Sequence, residues 1–421
     1  MKTCDVIVIG GGSAGVIAAI QAARAKADTL LVEKTGTLGG TLTNAMVNFP
    51  GIFQAWGKPV IAGIGWELVE QTLREAGDPM PDYSLPANQF FRHQVSVNPY
   101  LFAALADEAL HLAGVRVLQH TMVATVAFTG GLWHVTLCTK TGLQTVQSKT
   151  LVDCTGDANV VSLAGFPVDV LEDFQPATLI YRVGGYDIAT LDFEAIERAA
   201  DEALKRGELL ETDSGWKAGG NVASFLRWGG GNANHLPGIN ARDSEGKTAL
   251  EHAGKQAFLR LFRFLKKQPG LAGLKVLFMA AETGVRETTV IRGCHRITGA
   301  EYKEGVAYPD GLCHAYYPVD SHLRVGIHLE HLKPGVVPSI PRRALIPEGS
   351  VNLAVAGRSL SSDREANSAL RVQAPCMAMG QAAGAMAALA SKTGVPMLDL
   401  DMAAIHRLLQ EHHAIVPAPL L

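Results

Sequence analysis

The sequence predicts an α/β fold: a Rossmann-like domain with a parallel sheet and an antiparallel β insertion, plus an inserted mixed α+β domain. Three observations predict it. The chain opens with a β-branched run, a glycine-rich turn and an alanine-rich segment, and short strands follow between 115 and 152. After about residue 165 the alternation of strands and helices stops, and an apolar strand returns at 351. We therefore expect residues 1–165 and 339–421 to form one domain and 166–338 a second, substrate-facing domain.

The first 33 residues have the pattern of a dinucleotide-binding unit. The run Val6–Ile9 predicts a strand buried on both faces. Gly10, Gly12 and Gly15 follow at G-x-G-x-x-G spacing. The first glycine permits a tight turn, the second lets the backbone approach a pyrophosphate, and the third lets the helix pack closely on the sheet. Glu33 ends the next apolar run, where a carboxylate can accept hydrogen bonds from a ribose.

Length and composition narrow the class of protein. The chain has 421 residues, of which 48% are hydrophobic and 18% charged. This apolar content is enough to bury the cores of two domains, and it excludes a disordered chain. Lys and Arg number 37 against 40 Asp and Glu, a net charge of −3. A near-neutral balance argues against a nucleic-acid partner.

The cysteines and apolar runs indicate a cytoplasmic protein. Six cysteines lie far apart without a C-x-x-C pair, which is typical of reduced thiols and not of an iron–sulfur cluster. Two Cys-His pairs, at 294–295 and 313–314, leave a metal open, but coincidence is the favoured interpretation and we expect none. The longest apolar stretch, 374–390, is short for a membrane span and predicts a buried helix. No signal-peptide pattern is present at the N-terminus.

The remaining elements follow in order along the first domain. The Gly39-Gly40 turn can bring bare amides against a phosphate. Residues 47–95 are predicted to form a long connecting segment, not a separate domain, with one helix around 66–75. Asn98-Pro99 is an N-cap followed by Pro at the first helical position, and it predicts a helix ending before Gly114.

The later part of the chain predicts one more parallel strand and three helices. A strand at 150–153 runs into Cys154-Thr155-Gly156-Asp157, at the carboxyl end of a parallel strand, where such folds meet their ligands. Helices are expected near 193–206, 247–267 and 375–390. The Trp228–Asn232 segment lacks a following strand, helix and acid, so a second nucleotide-binding domain is not expected.

Five motifs together resemble those of the FAD-dependent oxidoreductase family, glutathione-reductase-like flavoproteins distantly similar to fumarate reductase flavoproteins and L-aspartate oxidase. The motifs are Gly10-x-Gly12-x-x-Gly15 with Glu33-Lys34, Leu38-Gly39-Gly40, Asp153–Ala158, Gly284–Thr288 and Ala356-Gly357-Arg358 with the stretch to Gly384. The resemblance covers residues 1 to about 390. It implies FAD as cofactor but leaves the substrate open.

The resemblance also implies a role for each matching residue. The first turn would bind the pyrophosphate, Glu33 and Lys34 the adenosine ribose, and the later motifs the flavin. A helix starting near 374–376 would aim its positive end at the flavin pyrimidine edge. The expected FAD-binding residues are Gly10, Gly12, Ser13, Ala14, Gly15, Glu33, Lys34, Gly39, Gly40, Thr41, Val123, Thr155, Gly156, Asp157, Gly357, Arg358, Arg371, Val372 and Gln373. We expect non-covalent attachment, with Cys376 as the thiol nearest the flavin.

Candidate catalytic residues come from the inserted domain and the segment after it: Arg286, His295, Asp320, His322 and Arg343. His322 can take a proton near neutral pH, and Asp320 would lie on the same face of an extended strand and orient it. Arg286 and Arg343 can clamp a carboxylate or serve as structural ion-pair partners. A structural role for His322 also stays open.

The expected function is an FAD-dependent dehydrogenase or oxidase that takes hydride from a small polar substrate onto flavin N5. Hydroxy acids, polyols, sugars and amines all qualify, and the electron acceptor and the oligomeric state, a homo-oligomer included, stay open. One alternative is a reductase of an activated C=C bond, and another is a flavin-binding electron-transfer subunit. A closed pocket containing Arg and His favours an enzyme, and an uncovered apolar patch favours the subunit.

Overall fold

A computed structural model describes residues 2–84, 93–171, 174–216 and 220–418. Its strands are β1 Lys2–Ile9, β2 Thr29–Val32, β3 Gln54–Ala55, β4 Lys58–Pro59, β5 Arg116–Leu118, β6 Met122–Thr129, β7 Leu132–Thr139, β8 Gly142–Asp153, β9 Val168–Val170, β10 Tyr181–Gly184, β11 Gly230–Gly231, β12 Lys275–Met279, β13 Thr289–Ile291, β14 Gly311–His314, β15 Val319–His322, β16 Ile327–Glu330, β17 Ser339–Pro341 and β18 Leu353–Val355. Its helices are α1 Ser13–Arg24, α2 Ile64–Ala76, α3 Pro99–Leu112, α4 Asn159–Leu163, α5 Phe193–Lys205, α6 Val222–Trp228, α7 Ser244–Lys266, α8 Gly299–Glu304, α9 Arg364–Leu370, α10 Gln373–Thr393 and α11 Met402–Glu411.

A seven-stranded sheet organises the first core. Its order is β5-β2-β1-β8-β7-β6, with β18 also paired to β8. β5, β2, β1, β8 and β18 run parallel, whereas β6, β7 and the first half of β8 form an antiparallel meander. The long strand β8 belongs to both parts. The predicted α/β fold, with its parallel sheet and antiparallel insertion, is confirmed. The parallel strands therefore deliver their carboxyl ends to one edge of the sheet.

Helix α10 lies directly on α1. A Cβ on Gly380 would overlap the carbonyl oxygen of Ala14, and a Cβ on Gly384 would overlap that of Ala18. Glycine at these two positions therefore allows the helix backbones to touch. The stretch 374–390, expected as a buried helix, is the interior of α10 and is almost wholly buried. Within the described ranges, no helix is long and apolar enough to cross a membrane.

Helix caps agree with the residues that the sequence singles out. The Asn98 side chain accepts hydrogen bonds from the N–H groups of Tyr100 and Leu101, with Pro99 at the first helical position. α7 begins three residues earlier than expected, because Asp243 caps it and accepts from the N–H of Gly246 at 2.8 Å. Side-chain oxygens at these positions satisfy N–H groups that the helix itself leaves unpaired.

A second core lies between 177 and 280, where the β11-β10-β12 sheet packs with α5, α6 and α7. This core is smaller than the expected domain 166–338. Residues such as Tyr302, Leu312 and Val319 are fully buried in the first core instead. The Tyr302 hydroxyl donates to the Tyr317 carbonyl oxygen at 2.7 Å. This hydrogen bond links α8 to the chain just before β15. We therefore propose 177–280 as the extent of the second domain.

Candidate active site

A cavity of about 1450 Å³ opens at the carboxyl edge of the parallel sheet. It exceeds the roughly 300–1,000 Å³ typical of one small-ligand site, so it has room for a cofactor and a second small molecule. The first glycine turn, the 154–157 turn, the 356–358 turn and the start of α10 line it on one side. Of the expected FAD-binding residues, all but Gly15 and Gly39 line this cavity.

Glycine at each of the three positions of the first turn has a different explanation. Gly10 has φ +99°, and a Cβ there would overlap the carbonyl oxygen of Cys154. A Cβ on Gly15 would overlap the carbonyl oxygen of Gly10, so this residue packs the helix on the turn, outside the cavity. Gly12 has ordinary dihedral angles, and a Cβ there would meet only the Cα of Gly40, at 3.8 Å. The protein itself does not require glycine at 12, whereas a bound pyrophosphate would.

Two helix N-termini face the same cavity. α1 begins after Gly12 and α10 after Val372, and the structure gives neither a side-chain cap. The Ser13 hydroxyl donates to Gln373 Oε1 at 2.9 Å and joins the two starts. Uncapped N–H groups and the positive ends of two helices favour a phosphate and an electron-rich ring edge. The site therefore fits FAD.

Glu33 is buried in the cavity wall with its orientation fixed. Its carboxylate accepts hydrogen bonds from the N–H of Gly11 at 2.6 Å and from the N–H and hydroxyl of Thr35, both at 2.8 Å. A carboxylate has about four acceptor positions, so it can still accept from a ribose hydroxyl. Lys34, half-exposed beside it, pairs with Glu282 at 3.8 Å.

Arg358 holds the second turn together. Its Nε donates to the Gly156 carbonyl oxygen at 2.8 Å, its Nη1 to that of Val285 at 2.9 Å, and its Nη2 to Asp157 Oδ1 at 2.7 Å. The Thr288 hydroxyl donates to the same carboxylate oxygen at 2.6 Å. Arg358 therefore shapes the cavity wall through the chain's own oxygens, a role that its motif does not reveal.

Replacing Arg358 with alanine is expected to lower the FAD content before it unfolds the protein. The change removes the charge-assisted hydrogen bond to Asp157 and leaves that carboxylate with only the Thr288 hydroxyl, at a cost of about 1.5–3 kcal/mol. The FAD-to-protein ratio after gel filtration measures the loss, and circular dichroism monitors the fold. Arg342→Ala, at an arginine outside the cavity lining, is the control. Full FAD content in Arg358→Ala would contradict this role.

His322 and Asp320 lie on the same face of β15, as an extended strand requires. His322 Nε2 is 3.5 Å from Asp320 Oδ2, and both residues line the cavity. His322 is only 5% exposed. Its backbone N–H donates to Gln175 Oε1 at 3.0 Å, and the same oxygen accepts from Arg371 Nη2 at 3.1 Å. Gln175 thus fixes the strand and the arginine together.

A second histidine, which the sequence does not reveal as a site residue, is in direct contact with His322. His235 Nε2 is 2.9 Å from His322 Nδ1, and His235 is almost fully buried. Trp216 stacks on His235 at 6.1 Å between ring centroids and meets His322 edge-on at 5.7 Å. Nothing in the sequence marks this pair, because the two histidines are 87 residues apart.

Both histidines are neutral at neutral pH. Burial, with the charge of Arg286 next, lowers the pKa of His322 to about 4 although Asp320 opposes the shift. Burial, Arg286 and His322 lower the pKa of His235 to about 3. For Asp320, burial opposes ionisation, but His322, Arg371 and Arg286 outweigh it and hold the pKa of that carboxyl below its usual range. The site thus pairs neutral imidazoles with an ionised carboxylate.

Two of the expected catalytic residues lie elsewhere. Arg343 forms a bidentate ion pair with Asp310, at 3.0 and 3.1 Å, and is not among the cavity-lining residues. His295 lies 3.2 Å from Glu301 and is also outside that lining. The ion pair with Asp310 matches the structural role that the sequence analysis left open for Arg343. Arg286, by contrast, is buried in the cavity wall.

The cavity thiols are poorly placed to react. Cys376 donates to the Arg371 carbonyl oxygen at 3.3 Å, and burial raises the pKa of its thiol to about 12. Burial also raises the pKa of Cys154. In the part of the chain that the structure describes, no three His, Cys, Asp or Glu residues come close enough together to hold a metal ion.

FAD is expected to leave the protein on denaturation. The measurement is the flavin in the supernatant after acid precipitation, identified as FAD by chromatography. A buried neutral thiol is a poor nucleophile, so Cys376 should not link to the flavin. Flavin fluorescence remaining on the denatured polypeptide band would contradict non-covalent attachment.

The parallel sheet, the glycine turn and the cavity at its carboxyl edge define a dinucleotide-binding protein. A sequence model described as FAD dependent oxidoreductase matches residues 5–409. The chain belongs to the FAD-dependent oxidoreductase family, whose cofactor is FAD.

Individual similarities are partial or distant. Leghemoglobin reductase from Glycine max is 58% identical over 40 residues, which are 10% of this chain and only 8% of that protein. A geranylgeranyl bacteriochlorophyll reductase-like structure from Thermoplasma acidophilum is 15% identical, over 98% of this chain and 84% of that chain, with a TM-score of 0.46. The bacillithiol disulfide reductase Bdr from Bacillus cereus is 22% identical, over 37% and 40% of the two chains, with a TM-score of 0.25.

Proposed function

We propose that this protein is an FAD-dependent dehydrogenase or oxidase that removes a hydride and a proton from a small polar substrate. Hydroxy acids, polyols, sugars and amines are the classes considered. One observation carries the proposal: a buried, neutral His322 stands between Asp320 and His235 in the wall of the cavity that fits FAD.

The chain's own groups can manage the substrate proton. As a base, His322 must carry its proton on Nδ1, where it is donated to His235 Nε2, and must keep the lone pair on Nε2; the other neutral tautomer would point an N–H at Asp320 Oδ2 instead. Nε2 then accepts the proton of a substrate hydroxyl or amine as the adjacent C–H bond breaks. Asp320, 3.5 Å from Nε2, stabilises the imidazolium that forms. FAD, when bound, supplies the two-electron acceptor for the hydride.

The charge state of His322 favours oxidation over reduction of a C=C bond. His322, whose pKa is lowered to about 4, can accept a proton at neutral pH but has none to donate, so reduction of a C=C bond would have to take its proton from another group, such as the protonated Arg286 in the same wall. A cavity with buried arginine and histidine in its wall also favours an enzyme over an electron-transfer subunit.

The test is anaerobic mixing of the FAD-loaded protein with members of the four substrate classes. We expect one class to bleach the oxidised flavin. Photoreduced protein is then mixed with O2, quinone dyes or fumarate to find the electron acceptor. Reoxidation by fumarate together with no bleaching by any class would replace the proposal with the C=C reductase. Reoxidation only by a protein partner would favour the electron-transfer subunit.

Flavin reduction by substrate should be independent of pH between about 8 and 6 and fall below about pH 5. The active form is the neutral imidazole, and because its pKa is lowered to about 4, protonation removes activity only in that acid range. Rapid-mixing rates across pH measure the profile, with circular dichroism confirming the fold at each pH. A midpoint near 6.5 would show that the base is an unperturbed histidine and not this one.

A further inference from the structure

Two arginines in the cavity wall lack a carboxylate partner of their own. Arg286, 9% exposed, donates through Nη1 to the Pro176 carbonyl oxygen and to the Thr178 hydroxyl at 3.0 Å. Arg371 donates through Nη2 to Gln175 Oε1 at 3.1 Å and to the Asp320 carbonyl oxygen at 3.2 Å. These acceptors are all neutral. Arg358, in contrast, has the carboxylate of Asp157.

Arg371 also has unused donor capacity. Its Nε is buried and has no hydrogen-bond partner among the described residues. A guanidinium carries five N–H donors in a rigid fork, and a buried donor without a partner is costly. Both arginines line the cavity beside Asp320 and His322. The unpaired donor is therefore explained by a bound molecule that supplies an acceptor, which is either the flavin, as the sequence resemblance implies for Arg371, or the substrate.

The charges around this wall do not balance. Burial, with the charge of the nearby Arg371 next, lowers the pKa of Arg286 to about 9, so Arg286 stays charged at neutral pH. Asp320 is the ionised carboxylate that acts on both, and the two histidines are neutral. The neighbouring Glu287 is held by Arg364, 3.3 Å away, and by Gln175. One positive charge is left over beside the candidate base.

We propose that Arg286 and Arg371 bind the carboxylate group of the substrate, so that the substrate is a hydroxy acid. This inference rests on the proposed function and selects one of its four classes. A carboxylate offers two oxygens that match the guanidinium fork, and its charge neutralises the excess. Polyols, sugars and amines would leave the one excess positive charge uncompensated. A bound carboxylate would hold the neighbouring carbinol carbon on the His322 side of the cavity.

The test uses carboxylates that have no hydride to give. The FAD-loaded protein is titrated with malonate, succinate, their neutral diamides and inorganic phosphate at constant ionic strength. Binding is measured by the flavin difference spectrum and by calorimetry. We expect a dicarboxylate to bind and its diamide not to bind. Arg286→Gln and Arg371→Gln should each weaken carboxylate binding about tenfold or more. Arg286→Lys, which keeps the charge, should retain part of it.

Arg343→Gln is the matched control, since that arginine pairs with Asp310 outside the cavity lining. Diamides binding as tightly as the acids would overturn the proposal, as would phosphate binding in their place. Unchanged carboxylate affinity in both Gln variants would overturn it too. Loss of FAD from Arg371→Gln with unchanged carboxylate affinity would assign that arginine to the flavin and contradict its part here. Because malonate is not oxidised, this result does not depend on the base role of His322. The carboxylate-binding proposal and the proposed dehydrogenase function can therefore fail independently.

Discussion

His322→Ala is expected to slow reduction of the bound flavin by substrate at least about 100-fold while leaving FAD stoichiometry unchanged. Loss of a positioned general base costs about 10²–10⁴-fold in rate. The imidazole lies against Asp320 and His235, and its side chain contributes no hydrogen bond to the glycine turns that fit the cofactor. Rapid mixing under anaerobic conditions gives the rate, and the visible spectrum gives the FAD content.

The control for this variant is His295→Ala, at a histidine paired with Glu301 outside the cavity lining. It should leave the reduction rate unchanged. If His322 is instead a structural residue, the melting temperature of His322→Ala will fall while surviving protein reduces its flavin at nearly the normal rate. That pattern would remove His322 from the active site.

Gly12→Ala is expected to weaken FAD binding about 5- to 150-fold with little effect on the stability of the FAD-free protein. The new Cβ meets only Gly40 Cα, at 3.8 Å, in the protein, but it occupies space that a pyrophosphate would need. Overpacking a tight contact costs about 1–3 kcal/mol, which corresponds to that range of affinity. Calorimetric titration of FAD into the stripped protein measures the affinity.

Gly15→Ala separates the two reasons for glycine in this turn. Its Cβ would overlap the Gly10 carbonyl oxygen, so this variant should lose thermal stability even without FAD. If Gly12→Ala destabilised the FAD-free protein as much as Gly15→Ala, the open space at residue 12 would not be a cofactor contact.

The fold was predictable where local signals and strand order agree. The run Val6–Ile9 and the glycine spacing predict β1, the turn and α1 because burial, turn geometry and helix start act over neighbouring residues. The Asn98 cap is another local signal. The domain boundary was less predictable, since residues around Tyr302 and Val319 join the first core through packing that no local pattern announces.

The candidate site was likewise predictable only where local signals specify it. Asp320 and His322 share a face because an extended strand has a period of two residues, which the sequence reveals. The pairing of His322 with His235 depends on tertiary packing across 87 residues and leaves no trace in spacing. Arg343 looked as suitable as Arg286, and only the position of Asp310 distinguishes them.

The contact between α1 and α10 bears on when the protein can acquire its cofactor. Ser13 and Gln373 are 360 residues apart, yet their hydrogen bond joins the two helix starts that face the cavity. During synthesis the fingerprint emerges first and stays without its opposite wall until α10 has left the ribosome. We therefore expect stable FAD binding only after α10 has packed on α1 and completed the cavity wall.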